Sequence, residues 1–126
     1  MLNKLVANRE IYYQNILLRY YKAKPLRVRH GLTDVTTPQF HGELKQWRKW
    51  DDVVGQLYKY NHVAPRPELR AYFFGDYKYE CKVFATTVLA NANIKPFDIS
   101  DYGDYLIIED ILAGKAHYVG LDKIET

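Results

Sequence analysis

The sequence predicts a mixed α/β layer in which helices pack on a central sheet. Three observations lead there. Apolar residues recur at threes and fours in three separate stretches, they alternate with polar residues in the segments between, and Gly and Pro fall at the joins. The order that results is helix, three strands, helix, strand, helix and then short strands, in one domain spanning residues 1–126.

Residues 2–21 form the first helix. Leu2, Leu5, Val6, Tyr13, Ile16, Leu17 and Tyr20 make its apolar stripe, and Pro25 lies just beyond its end. Leu26 and Val28 then alternate with Arg27 and Arg29, Gly31 interrupts, and residues 32–36 and 40–46 follow on either side of a turn at Thr37-Pro38. We expect three short strands in an antiparallel meander. Helical spacing returns over residues 47–61 with Trp50, Val53, Val54, Leu57 and Tyr58, bounded by Pro65 and Pro67. Residues 69–74 make a buried strand ending at Gly75-Asp76. A third helix carries Cys81, Phe84, Ala85, Val88, Leu89 and Ala92 on one face and ends in the Asn91–Asn93 stretch. Residues 96–99, 105–108 and 117–121 read as edge or closing strands, with turns at Gly103, Gly114 and Gly120.

Composition narrows the function classes. With 48% apolar residues and 15% aromatic ones the chain can fill a core. No apolar run reaches the roughly 18 residues of a membrane span, and charge enters the first ten residues, so a soluble, intracellular protein without a membrane partner is expected. The single cysteine, Cys81, sits on the apolar stripe of the third helix and reads as a small core residue, not a nucleophile. The histidines at 30, 41, 62 and 117 lack zinc-ligand spacing. Residues 1–60 hold 11 Lys and Arg against 5 Asp and Glu, whereas residues 61–126 hold 7 against 10. The basic half suits a polyanion, and scattered solvated charge accounts for the same numbers equally well.

The chemistry concentrates around Glu43-Leu44-Lys45. On a strand Glu43 and Lys45 share a face, and a tight turn at Thr37-Pro38 would bring Asp34 beside Glu43 if both face the same side. Two adjacent carboxylates repel unless a cation lies between them, the arrangement that suits an oxygen-seeking Mg²⁺. Taken alone, a Glu-x-Lys strand is more often a solvated pair. Glu10 adds a carboxylate to the apolar stripe of the first helix, where buried charge needs a partner. Gln56 and Tyr60 lie four apart on one face of the second helix, and Gly55 beside them suggests a close backbone approach.

Asp34, then Glu43-Leu44-Lys45, then Gly-Gln-Leu-Tyr-Lys-Tyr at 55–60 resembles the PD-(D/E)XK, or restriction endonuclease-like, nuclease superfamily, in the branch with a Gln-x-x-x-Tyr signature on the helix after the Glu-x-Lys strand. The resemblance covers about residues 5–90, and Thr33 stands where that motif has a proline. It implies an αβββαβ core with a central mixed sheet flanked by helices. It also implies Mg²⁺-dependent endonuclease activity on DNA, leaving a 5′-phosphate and a 3′-hydroxyl, with Mn²⁺ able to substitute. Asp34 and Glu43, with Glu10, would hold the metal; Lys45 would act on the attacking water; Gln56 and Tyr60 would position Lys45 or the scissile phosphate. Arg27, Arg29, His30, Arg48 and Lys49 would contact backbone phosphates. Homing endonucleases of introns, viral nucleases and repair or resolvase systems contain enzymes of this kind. A non-catalytic nucleic-acid- or protein-binding module on the same fold is the alternative.

Trp47 and Trp50 either stack on bases or belong to the core. Cutting both strands of a duplex needs two sites, so a homodimer or homotetramer is expected, joined through Tyr72, Tyr77, Tyr79, Tyr102, Tyr105 and Tyr118 in the less basic half.

Overall fold

The computed structural model describes residues 2–29 and 31–121, with side chains from Arg9 onward. Helix α1 covers Leu2–Tyr20 and is followed by the two-residue strands β1 (Arg27–Val28), β2 (Gly31–Leu32) and β3 (Val35–Thr36). Strand β4 (Phe40–Gln46) leads through a 3₁₀ turn at Trp47–Lys49 into α2 (Asp52–Val63) and β5 (Glu68–Phe74). Helix α3 (Tyr79–Asn91) precedes β6 (Ile94–Asp101), β7 (Tyr105–Asp110) and β8 (Lys115–Gly120). The α/β class and the central mixed sheet agree with the sequence. Six strands run in the order β3-β4-β5-β6-β7-β8, with β4, β5 and β6 mutually parallel and the outer pairings antiparallel.

The sheet separates two cores. On one face Tyr13, Ile16 and Leu17 of α1 pack on Phe40, Leu44, Tyr72, Phe74, Phe97 and Leu106. On the other, Val53, Leu57 and Tyr60 of α2 and Ala85 and Leu89 of α3 pack on Leu69, Ala71, Phe73 and Ile94. Phe40 and Leu44 face α1, so strand alternation sends His41, Glu43 and Lys45 to the α2 face. No described helix is long and apolar enough to cross a membrane.

Several expectations need correction. The three early strands are not one meander: β1 and β2 pair with each other as a separate hairpin, and only β3 joins the sheet. The break falls at Thr33, whose hydroxyl accepts the Leu26 N–H at 2.8 Å and whose own N–H donates to the Leu26 carbonyl, so the hairpin closes before Asp34. The second helix starts at Asp52, not Trp47. The intervening 3₁₀ turn tucks Trp47 wholly into the core, stacked on Phe73 at 4.5 Å with its indole N–H donating to Asp98, which removes Trp47 as a base-stacking platform. Trp50 is half-buried, edge-on to Phe84.

On α1, Tyr20 is exposed, and Leu2, Leu5 and Val6 have side chains outside the described ones. On α3 only Ala85 and Leu89 are fully buried, while Phe84 is 63% exposed, because one residue per turn suffices for a helix lying flat on parallel strands. Strand β6 is internal, not an edge, and contains Pro96, whose carbonyl accepts the Ile111 N–H. Tyr72 is buried, with its hydroxyl donating to that of Tyr21 at 3.0 Å, and so belongs to the core and not to an interface.

Candidate functional site

Strand β3 runs antiparallel to β4 with Val35 opposite Gly42 and Thr36 opposite His41. Continuing that register by one residue sets Asp34 beside Glu43. The Leu44 N–H donates to Asp34 Oδ2 at 2.8 Å, so a carboxylate takes the ladder position that a backbone carbonyl would otherwise fill. From α1, the Gln14 side-chain amide donates to the Asp34 carbonyl at 3.0 Å. Glu10 lies one helical turn before Gln14, and it feels the charges of both Lys45 and Asp34.

Charge and burial conflict here. Glu43 is only 3% exposed. Burial and the Asp34 charge push its carboxyl up to about 8, against the opposing pull of the Lys45 ammonium. Burial also raises Asp34, opposed by the Leu44 N–H and by Lys45. Glu10 is raised by burial as well, with Lys45 pulling it down and Asp34 pushing it up. Three carboxylates and one ammonium therefore share one field, and each carboxylate is held above its ordinary range.

Helix α2 closes the site. Tyr60 is buried and its hydroxyl donates to the Leu32 carbonyl at 3.2 Å. Burial, then the negative charges of Glu43 and Asp34, raise that hydroxyl well above its ordinary value, so it stays a neutral donor. Gln56 lies one turn earlier on the same face. Glu43 Oε1 and Gln56 Oε1 are both buried without a donor among the described residues. Buried oxygens left in this state are costly and fit a bound cation or an incoming proton donor. Among the described residues no three His, Cys, Asp or Glu side chains assemble as a ready-made metal cluster; the acidic centre is the pair Asp34 and Glu43.

The β1–β2 hairpin docks on α2 through the Tyr60 bond to Leu32 and through Gly31, where a Cβ would come within 3.1 Å of the Tyr60 ring. Arg27 and Arg29 are exposed on that hairpin, and Arg48 and Lys49 are exposed on the turn that follows β4. His30 lies outside the described residues. Gly55 is exposed, and a Cβ there would meet nothing within 4 Å, so none of the described residues approaches it. Its expected close approach is not made by this protein's own backbone.

Sequence reasoning overlooked His41. It is wholly buried, with Nδ1 2.9 Å from Thr36 Oγ1 and Nε2 donating to the Ala64 carbonyl at 2.5 Å. Burial first, and then the nearby Arg66 charge, hold its pKa below the ordinary histidine value against the Ala64 bond. The signal was present in the alternation of His41, Glu43 and Lys45 on one strand face. No known protein family, curated protein or solved structure matches the chain.

Proposed function

We propose that the protein is a Mg²⁺-dependent DNA endonuclease of the PD-(D/E)XK kind, hydrolysing phosphodiester bonds to a 5′-phosphate and a 3′-hydroxyl. One observation carries the reading: Asp34 and Glu43 are held together beside Lys45, and Glu43 Oε1 is buried without a donor among the described residues. Such a carboxylate is unfavourable as an anion unless a cation meets it, and oxygen donors suit a hard divalent ion, the class to which Mg²⁺ and Mn²⁺ belong. The order α1, β3 antiparallel to β4, α2, then β5 parallel to β4 supports part of the αβββαβ assignment: two strands of the sheet, not three, precede α2, and the β1–β2 hairpin stands outside it.

Asp34 and Glu43 would hold the metal, with Glu10 on α1 near enough to feel the charges of Lys45 and Asp34. When bound, the ion would acidify a water and offset charge on the phosphate. The Lys45 ammonium orients the attacking water and lies where negative charge develops on the phosphorus oxygens. Gln56 can accept from that ammonium through its oxygen and donate to a phosphate through its nitrogen. The Tyr60 hydroxyl remains protonated beside them. Arg27, Arg29, Arg48 and Lys49 are exposed for backbone phosphates.

The test is conversion of supercoiled plasmid. Wild type should nick or linearise it in Mg²⁺ and not in EDTA, and Lys45→Ala should lose at least about 10²-fold in rate while still binding DNA. Lys45→Arg should be similarly impaired, because a wide planar guanidinium does not replace a compact ammonium. Wild type that cleaves no DNA in either Mg²⁺ or Mn²⁺, or a fully active Lys45→Ala, would overturn the assignment and leave a non-catalytic binding module.

A further inference from the structure

We infer that Thr33, Thr36 and His41 form a positioning relay that holds Asp34 where a metal ion can be shared with Glu43. The inference rests on the nuclease reading. Asp34 sits in the short break between β2 and β3, outside any strand, so its backbone is not held by its own ladder bonds. Thr33, in that break, and Thr36, on β3, are both buried. They are linked to each other at 2.6 Å, and Thr36 is linked to His41 Nδ1 at 2.9 Å.

Every proton in this chain has one allowed direction. The Ala64 carbonyl can only accept, so His41 Nε2 carries the hydrogen. In a neutral ring Nδ1 must then accept, and the Thr36 hydroxyl donates to it. Thr36 Oγ1 therefore accepts from the Thr33 hydroxyl, and Thr33 Oγ1 accepts from the Leu26 N–H. The chain runs without an unsatisfied member from the hairpin, across the Asp34 break, to the carboxyl end of α2. A fully satisfied buried network of this kind admits one arrangement of the segment it spans.

The relay lies on the metal side of the sheet. His41 is two residues before Glu43 on the same face of β4, and Thr36 is its cross-strand partner. Asp34 is thus fixed from three directions: Leu44 holds its carboxylate, Gln14 its carbonyl, and the relay ties Thr33, just before it, to Thr36, two residues after it. Buried apolar side chains at 33, 36 and 41 could fill the same volume but would leave the rotation of the Asp34 segment undetermined. These three are positioning residues, since none of them touches Asp34 through its own side chain in the bonds described.

The experiment compares wild type, Thr36→Val and Thr36→Ser as full-length chains. Valine keeps the shape and removes the hydroxyl; serine keeps the hydroxyl. Mn²⁺ binding to the metal-free proteins is measured by calorimetry, melting temperature is measured without metal, and cleavage is followed against Mg²⁺ concentration. Thr36→Val should weaken Mn²⁺ binding by about 10- to 100-fold, the range found when partners behind metal ligands are removed. It should raise the Mg²⁺ needed for half-maximal cleavage by a similar factor and leave the rate at saturating Mg²⁺ within about threefold. Thr36→Ser should restore both. If Thr36→Val does not fold, Thr33→Val cuts the chain one link further from His41 and should shift Mn²⁺ binding in the same direction.

Variants that lose melting temperature yet bind Mn²⁺ as tightly as wild type would overturn the relay and leave the nuclease reading standing. Wild type that binds no Mn²⁺ at millimolar concentration would overturn both.

Discussion

The carboxylate of Asp34 accepts the backbone N–H of Leu44 at 2.8 Å, which clamps it to the strand segment that carries Glu43 and Lys45. The N–H it takes lies between those two residues, so the Asp34 carboxylate cannot turn away from Glu43 without giving up a charge-assisted bond. Repulsion between the two acids is consequently built into the backbone pairing, and it adds to burial, the larger cause, in raising the pKa of Glu43.

Stability of the metal-free protein should depend on pH in a definite direction. A carboxylate with a raised folded pKa binds its proton more tightly in the folded state than in the unfolded one. Its contribution is therefore complete below the ordinary value of 4.5 and is lost as pH climbs through about 8. In EDTA, denaturant unfolding should show stability falling between pH 5 and pH 8 with a slope of up to roughly 1.4 kcal/mol per pH unit. Millimolar Mg²⁺ should flatten that slope, because the ion takes the proton's place. A flat profile in EDTA would contradict the arrangement.

Removing one acid should stabilise the protein while ending its activity. Glu43→Gln keeps the shape and deletes the buried anion, and Asp34→Asn keeps an amide oxygen for the Leu44 N–H. Each should abolish cleavage and weaken Mg²⁺ binding. In EDTA at pH 8 each should also raise the melting temperature, by about 2–8 °C for every kcal/mol of repulsion relieved. Scanning calorimetry checks this, and a lower melting temperature for both variants would count against the repulsive pair.

Gly55 offers a stabilising substitution. It lies inside α2, exposed, with room for a Cβ on every side. Gly55→Ala should add roughly 1 kcal/mol, the helix penalty of glycine relative to alanine, measured as a shift in denaturant midpoint. Unchanged cleavage by the same variant would mean that substrate does not use the space either; a loss would place a substrate backbone over that turn.

Assembly gives the last prediction. If both strands of a duplex are cut, two copies are needed, and Tyr102 between β6 and β7, Tyr105 on β7 and Tyr118 on β8 form an exposed cluster, with ring centroids 5.2 Å (Tyr102 to Tyr105) and 6.1 Å (Tyr105 to Tyr118) apart. Light scattering at micromolar concentration should return at least twice the chain mass of 14.9 kDa, and Tyr118→Glu should reduce it. A monomeric wild type that only nicks would keep the chemistry and remove the dimer.

Much of the fold was legible in local pattern. The three helices follow from apolar spacing, because burial on one side imposes the period of the element on the residues that face it, and β5 follows from a short continuous apolar run closed by Gly75-Asp76. In the early strands, residues 32–36 read as one segment, and only the Thr33 bonds to Leu26 show where the chain leaves one sheet for another. Trp47 looked like part of a helix for a similar reason: its spacing to Trp50 is helical, while its burial depends on Phe73 and Asp98.

For the candidate site, the sequence by itself determined which side chains share a strand face or a helix face: Glu43 with Lys45, and Gln56 with Tyr60. Periods of 2 and 3.6 are properties of the backbone and need no partner. Only the tertiary structure decided which faces meet and how dry the meeting place is. That set Asp34 against the Leu44 N–H, raised Glu43, left Glu43 Oε1 and Gln56 Oε1 without donors, and joined Thr33, Thr36 and His41 to Ala64. Desolvation and hydrogen-bond direction depend on neighbours supplied by other elements, with His41 and Ala64 standing 23 residues apart, and no local spacing encodes them.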